Sequence, residues 1–207
     1  MAQVTASIAT FLTHQPKRQM IPRNTPIHTT PQAVSEHVYR LRDRLSLATM
    51  PVFVPVRPKD GCSFLRCFHN VREWVTAQGG SVQHGWLVWE TLGQLIEGEF
   101  HAVWVAPDGA LEDITPQRDG ETRVLFIPDP DRVYENRPVG SVRMPLVQDP
   151  ELARTIRFHE QLDLLRAKYH RNGVPAIPER KIRRLVRKFS TETVRTPGPR
   201  IHFVCER

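Results

Sequence analysis

Apolar residues recur every three or four positions in four parts of the chain, which is the spacing of one face of an α-helix. Following Pro31, such a pattern predicts a helix over about 31–47. A second predicted helix covers 62–77, with Cys67 near its beginning. Two more are predicted toward the end of the chain, over 152–169 and 179–189.

Stretches rich in β-branched and aromatic residues lie between the second and third of these helices. They cover 82–89, 99–105, 111–114 and 123–127. An earlier run, 52–56, contains Pro55 and therefore predicts an edge strand. Because turn-forming residues separate the later stretches, we expect an antiparallel meander after the second helix. The fold class is then α+β, with helices packed on a single antiparallel sheet.

Composition divides the chain into three regions. Residues 1–30 are rich in Thr, Pro, Gln and His without periodicity, which predicts a flexible N-terminal arm. Residues 31–130 contain the predicted helices and strands of one domain. Residues 131–207 form the third region. Pro and Asp residues are spaced along 130–150, a segment expected to wrap the surface, and the region ends in a basic helical extension.

The hydropathy pattern and the cysteine content favour a soluble, cytoplasmic protein. No apolar run is long enough for a membrane span, and the first residues do not read as a signal peptide. The three cysteines, Cys62, Cys67 and Cys205, are too few for a disulfide framework, which leaves their thiols free in a reducing compartment.

The positive charge is confined to the end of the chain. Residues 1–150 carry 15 Lys+Arg and 16 Asp+Glu, a net of −1, whereas residues 151–207 carry 14 and 6, a net of +8. Six cations of the last predicted helix surround its apolar stripe: Arg180, Lys181, Arg183, Arg184, Arg187 and Lys188. This pattern suits nucleic acid, an acidic protein partner or an anionic membrane surface, and it also suits a solvated helix packed on the domain.

Three residues predict nucleophilic chemistry when taken together. A thiol at a helix start, as Cys67 is, gains nucleophilicity from the unpaired N–H groups there. His101 is a polar residue in an otherwise apolar predicted strand, on the same face as Val103. The Pro107-Asp108-Gly109 turn would bring Asp113 beside His101, provided that the register is not shifted by one residue. Each residue alone also fits a structural role, as a small core thiol, a core histidine and a turn residue.

Neighbouring residues could support such a site. Asn70, one turn after Cys67, could donate to an oxyanion or make a structural hydrogen bond in the core. Trp86 and Trp89 could wall an acyl-binding slot, although aromatic strand residues also belong in cores. Glu99 could recognise an amine, or lie on a solvated strand edge.

Metal binding is the main rival chemistry. Several soft and borderline ligands lie in the same region, namely Cys62, Cys67, His69, His84 and His101. Their Cys-x4-Cys-x-His spacing is not a zinc motif, and the sequence has no second Cys pair to complete a set of four ligands. We therefore expect neither a metal nor a cofactor.

Three segments resemble motifs of the protein N-terminal glutamine amidohydrolases. The segments Cys67-Phe68-His69-Asn70-Val71, Phe100-His101-Ala102-Val103 and Glu112-Asp113-Ile114-Thr115 are similar to Cys-x-x-Asn-Val, Tyr-His-Val-Val and Tyr-Asp-Leu-Asp-Thr in that family. The resemblance covers about residues 62–116 and implies a papain-like, or transglutaminase-like, α+β fold. It assigns the nucleophile to Cys67, the base to His101 and the orienting carboxylate to Asp113. Part of this stretch also resembles uncharacterised bacterial proteins, some with a cysteine-rich zinc-binding tail that these 207 residues lack.

The sequence therefore predicts a cysteine hydrolase that cleaves an amide through an acyl-enzyme, as an amidase, deamidase or peptidase. Acyl transfer to an amine, as in transglutaminases, would use the same three residues. A non-catalytic binding protein that uses the basic C-terminal helix is the alternative from a different functional class.

Overall fold

A computed structural model describes residues 28–117, 120–171 and 174–190. Within these ranges the chain forms four helices, one seven-stranded antiparallel sheet and one two-stranded sheet. The elements in chain order are β1 (His28–Thr29), α1 (Glu36–Arg44), β2 (Val52–Pro55), α2 (Cys67–Gln78), β3 (Ser81–Thr91), β4 (Leu95–Val105), β5 (Leu111–Glu112), β6 (Arg123–Pro128), β7 (Val142–Pro145), α3 (Pro150–Lys168), β8 (His170–Arg171), β9 (Val174–Pro175) and α4 (Glu179–Phe189). The predicted α+β class is confirmed.

The strand order differs from the predicted meander. The central path is β2-β6-β3-β4-β5, so β6 pairs with β3 and not with β5, which precedes it in the chain. The residues of β6 from Val124 to Ile127 are all buried, because β2 and β3 pair with its two edges and a core cluster packs on each of its faces. A run of apolar residues without alternation predicts a buried strand but does not indicate which strands will pair with it.

Two strands of the seven-stranded sheet, β1 and β7, lie outside the predicted ones, as do the short strands β8 and β9. β7 pairs with β4 within the segment 130–150, which was predicted to wrap the surface, and its Met144 is buried in the core. β1 pairs with β3 at His28 and Thr29, the end of the predicted arm, whereas residues 1–27 lie outside the described ranges. β2 lies at the edge of the path, as Pro55 predicted.

The two faces of the sheet bury different residues, because neighbouring side chains on a strand point in opposite directions. One face packs against α1 and α2, where Phe100, Ala102 and Trp104 meet Phe68 and Val71. The opposite face buries Val54, Leu87, Val103 and Phe126 together. A parallel bridge between Val56 and Asp113 links the chain just past β2 to the chain just past β5, the two ends of the path.

The C-terminal helices pack beside the sheet. Asp149 caps α3 by accepting a hydrogen bond from the Glu151 backbone N–H at 2.8 Å. α4 packs on α3, with the rings of Phe158 and Phe189 5.8 Å apart. No helix in the described part of the chain is both long enough and apolar enough to cross a membrane.

Candidate active site

Cys67 is the first residue of α2, and only 7% of it is exposed. The preceding residue, Arg66, makes no side-chain capping bond, so the first turn keeps its backbone N–H groups free of a side-chain cap. These groups and the helix dipole favour negative charge at this end of the helix. Leu65, two residues earlier, has a φ of 64°, a left-handed conformation that costs a side-chain-bearing residue about 1–2 kcal/mol.

His101 lies on β4 and is joined to Asp113 through its ring. The distance from His101 Nε2 to Asp113 Oδ1 is 3.2 Å, and the two residues are 5% and 0% exposed. β4 and β5 pair Trp104 with Glu112, and continuing that register by one residue sets Asp113 opposite Val103. Val103 and His101 share a face of β4, so the one-residue shift that would separate Asp113 from His101 does not occur.

The structure also brings Cys67 near the same imidazole, since both residues line one pocket and Cys67 is among the groups that act on the charge of the ring. Burial by itself lowers the pKa of His101. The charges of Cys67 and Asp113, together with the hydrogen bond to Asp113, outweigh burial and raise the His101 pKa well above its ordinary value of 6.5. His101 is therefore held as a cation between two groups that can be anionic.

Asp113 is fixed by four further hydrogen bonds that the sequence did not predict. Its Oδ1 accepts the Thr115 backbone N–H at 3.0 Å, and its Oδ2 accepts the Gln117 side-chain amide at 2.7 Å. Its own backbone bonds to Pro55 and Arg57 across the bridge between the two sheet ends. The Asp-x-Thr spacing is an Asx-turn signal and could have indicated the first contact. Gln117 carries no such signal.

Asn70 is occupied by structural bonds. Its amide nitrogen donates to Ser63 O at 2.8 Å and to Thr115 Oγ1 at 3.1 Å, and its oxygen accepts from Ser63 N at 3.1 Å. Because both amide hydrogens are used, Asn70 is not placed to donate to an oxyanion. It ties the loop before Cys67 to the segment after Asp113, which is the core hydrogen-bonding alternative stated above.

A small pocket, about 30 Å³ in volume, opens onto Cys67 and His101. Its walls are mainly apolar and aromatic, with Leu87 and Trp89 among them, and Glu99 supplies a carboxylate. Trp86 does not line this pocket, contrary to prediction. It lies on the helix-packed face of the sheet, where its indole N–H donates to Asp129 at 3.0 Å.

The other candidate residues do not gather at this site. In the described part of the chain, no three His, Cys, Asp or Glu side chains cluster as metal ligands, so the rival metal set is not assembled. Cys205 lies outside the described residues.

The six cations of α4 belong to a separate region. Leu185 of this helix is buried. The cations Arg180, Arg184, Arg187 and Lys188 are exposed, and Lys181 is half-buried. Among the described residues, Arg183 of this set forms an ion pair, with Glu179 at 2.7 Å.

Comparison with known proteins gives no independent assignment of this site. No protein-family model, no curated protein and no solved structure matches the chain.

Proposed function

We propose that this chain is a cysteine hydrolase that cleaves an amide bond through an acyl-enzyme intermediate. The observation that supports it is that Cys67 and His101 line one pocket while Asp113, fully buried, is bonded to the His101 ring. A nucleophile, a base within hydrogen-bonding reach and a third group that orients the base together define this class of site. We further propose that the α+β core has the papain-like, or transglutaminase-like, arrangement, with the nucleophile on a helix and the base on an antiparallel sheet.

The first half-reaction forms a thioester. The Cys67 thiolate attacks the substrate carbonyl carbon, and the tetrahedral oxyanion lies near the N–H groups of the first turn of α2. The His101 imidazolium donates its proton to the leaving nitrogen as the C–N bond breaks, and an amine or ammonia departs. Asp113 holds the ring orientation throughout and stabilises its positive charge.

The second half-reaction returns the enzyme to its starting state. Neutral His101 removes a proton from water, the hydroxide attacks the thioester, and the C–S bond breaks to give the carboxylic acid and the Cys67 thiolate. An amine in place of water gives acyl transfer by the same route. We place hydrolysis first because the small pocket accommodates water beside Cys67 more readily than a second large substrate.

Alkylation by iodoacetamide tests the nucleophile without knowledge of the substrate. We expect Cys67 to react at pH 6 at least about tenfold faster in the folded protein than in the unfolded chain, because only a thiolate reacts. Cys62 is the matched control, since burial raises the pKa of its thiol. Replacing His101 by Asn should remove the advantage of Cys67, while Cys62→Ala should leave it unchanged.

Turnover is tested with carboxamide substrates. Ammonia release from glutamine- and asparagine-containing peptides, and cleavage of their peptide bonds, should fall at least about 10³-fold in Cys67→Ala. A folded protein whose Cys67 reacts no faster than Cys62 would contradict the proposal.

A second candidate function, binding of nucleic-acid phosphates by α4, is favoured by the orientation of its charges. Leu185 of the apolar stripe is buried and Phe189 packs on Phe158 of α3, which leaves Val186 as the exposed apolar residue of α4. The exposed Arg180, Arg184 and Arg187 therefore present charge with little apolar surface to insert into a membrane. A variant in which Arg180, Arg184 and Arg187 are all replaced by Gln should lose the salt-dependent binding to duplex DNA. Retained binding, or binding of acidic proteins alone, would contradict this candidate.

A further inference from the structure

We propose that the substrate carries a positively charged group, an ammonium or a guanidinium, which the Glu99 carboxylate binds beside the reacting carbonyl. This inference rests on the proposed function, because it names the substrate class of the same pocket. It concerns Glu99 as a residue that determines specificity, whereas the reacting groups remain Cys67 and His101.

The position of Glu99 is set by β4. Glu99 and His101 are alternate residues of this strand, so their side chains leave the same face about 7 Å apart. Both line the pocket that opens onto Cys67. A cation bound at Glu99 therefore lies only a few bonds from a carbonyl held at Cys67.

The charge of Glu99 is not balanced by any of the residues that the structure describes. Its Oε2 accepts a hydrogen bond from the Trp89 indole N–H at 2.9 Å, and a neutral donor leaves the negative charge in place. Among the described residues, no Lys, Arg or His forms an ion pair with Glu99. A carboxylate in a half-buried, mainly apolar pocket costs free energy unless a counter-charge joins it.

The neighbouring carboxylates of the same sheet show the contrast. Glu97, two residues before Glu99 on β4, pairs with Arg143 at 3.0 Å. Glu112 on β5 pairs with Lys59 at 2.8 Å and with Arg57. Glu97 and Glu112 thus have cation partners within the fold, whereas the carboxylate of Glu99 is left to a ligand. Trp89 fixes one carboxylate oxygen, and Oε1 has no partner among the described residues.

Charged methanethiosulfonates test the preference directly at Cys67. The thiolate attacks the reagent sulfur, a disulfide forms and methanesulfinate leaves, so no further reactant is needed. The two probes are the 2-(trimethylammonium)ethyl and 2-sulfonatoethyl reagents, applied to protein carrying Cys62→Ser and with the modified residue identified by mass spectrometry. Each rate is divided by that of a small free thiol, which removes the intrinsic difference between the reagents.

The expected result is a normalised cation-to-anion rate ratio at least about tenfold higher in the Glu99 protein than in Glu99→Gln. Gln is isosteric and its oxygen still accepts from Trp89. The control is Glu90→Gln on β3, which makes the same change in net charge away from the pocket lining. An unchanged ratio in Glu99→Gln, or an equal fall in Glu90→Gln, overturns the inference.

A second measurement needs no variant. Butylammonium should slow the reaction of Cys67 with neutral iodoacetamide more than butanol does at equal concentration, and equal protection by the two overturns the inference. A Cys67 that is inert to every reagent overturns the proposed function as well. A reactive Cys67 without charge preference overturns this inference alone.

Discussion

His101 is a cation in a place where a cation alone would be unstable. The residue is 5% exposed, and burial by itself would favour the neutral ring. The proton is retained because the charges of Cys67 and Asp113 both stabilise the imidazolium, and the backbone and Gln117 hold Asp113 in turn. In the proposed mechanism, the acid that protonates the leaving group thus remains charged at a pH where free histidine is neutral.

We predict that Asp113→Asn lowers the pKa of His101, since burial continues to disfavour the cation while one stabilising charge is gone. A raised pKa means that the imidazolium is present below and for some distance above pH 6.5, and is lost as the pH rises through the folded value. The alkaline limb of kcat/KM should therefore move to lower pH in Asp113→Asn, with kcat reduced about 10²–10⁴-fold.

The NMR titration of the His101 ring measures this shift independently of turnover. Cys62→Ala serves as the control, and it should leave the titration in place. A titration that is the same in Asp113→Asn and in the unsubstituted protein would rule out the explanation.

At the scale of elements, the close approach of β3 and β6 depends on a glycine opposite the candidate base. Gly85 pairs with His101 across β3 and β4, and with Pro128 across β3 and β6. A Cβ at Gly85 would lie 2.4 Å from the backbone oxygen of Ile127 and 2.4 Å from the ring of Phe126. The strand that faces His101 therefore has no room for a side chain at this position.

Gly85→Ala should consequently lower the free energy of unfolding by about 2–3 kcal/mol, because neither the β6 backbone nor a buried ring moves easily. The matched control is Gly98→Ala on β4, where a Cβ would make ordinary contacts of 3.5–3.6 Å with Leu45, Trp86 and Leu41. That variant should change stability by less than about 1 kcal/mol. Urea unfolding followed by circular dichroism compares the two, and equal losses would contradict the steric explanation.

Local sequence patterns predicted the helices, the strands and part of the site. Which strands pair with each other, and which side chains share a face, became known only from the three-dimensional structure. Helical spacing placed α2 with Cys67 near its start, and strand alternation put His101 on the face it shares with Val103. The turn before β5 predicted the approach of Asp113 to within one residue. The pairing of β6 with β3 was not predictable, because Val124–Ile127 is apolar without alternation. Trp86 and Trp89 were likewise indistinguishable until the faces of β3 were known.

At the scale of the whole molecule, a buried charge network joins the C-terminal helices to the sheet. Arg143 on β7 pairs with Glu97 on β4 at 3.0 Å and with Asp163 on α3 at 2.8 Å. His159, also on α3, is 7% exposed, and burial followed by the charge of Arg143 lowers its pKa to about 4. The contact between sheet and helix therefore contains a histidine that is neutral in the folded protein.

This arrangement predicts a loss of stability in mild acid. The unfolded chain takes up a proton at His159 near pH 6.5, whereas the folded chain does so only near pH 4. The stabilisation is present above pH 6.5, declines as the pH falls below it, and is lost by about pH 4. The free energy of unfolding should fall between pH 7 and pH 5, and this fall should be about 1–2 kcal/mol smaller in His159→Gln than in the unsubstituted protein.

Urea unfolding at the two pH values measures the effect. His69→Gln is the control, since His69 lies at the surface with Glu73. An equal pH dependence with and without His159 would show that the α3 contact does not respond to acid.

The bridge between Val56 and Asp113 also affects when the site is completed as the chain folds. Asp113 takes its position through backbone bonds to residues 55–57, more than fifty positions earlier in the chain. Contacts of such long sequence separation form late, because the loop between them must close first. We therefore expect a partly folded chain to hold Asp113 only through the pairing of β4 with β5, with its carboxylate not yet fixed by residues 55–57. In the proposed enzyme, reactivity at Cys67 would then appear only once both ends of the sheet have met, which protects the cell from an immature nucleophile.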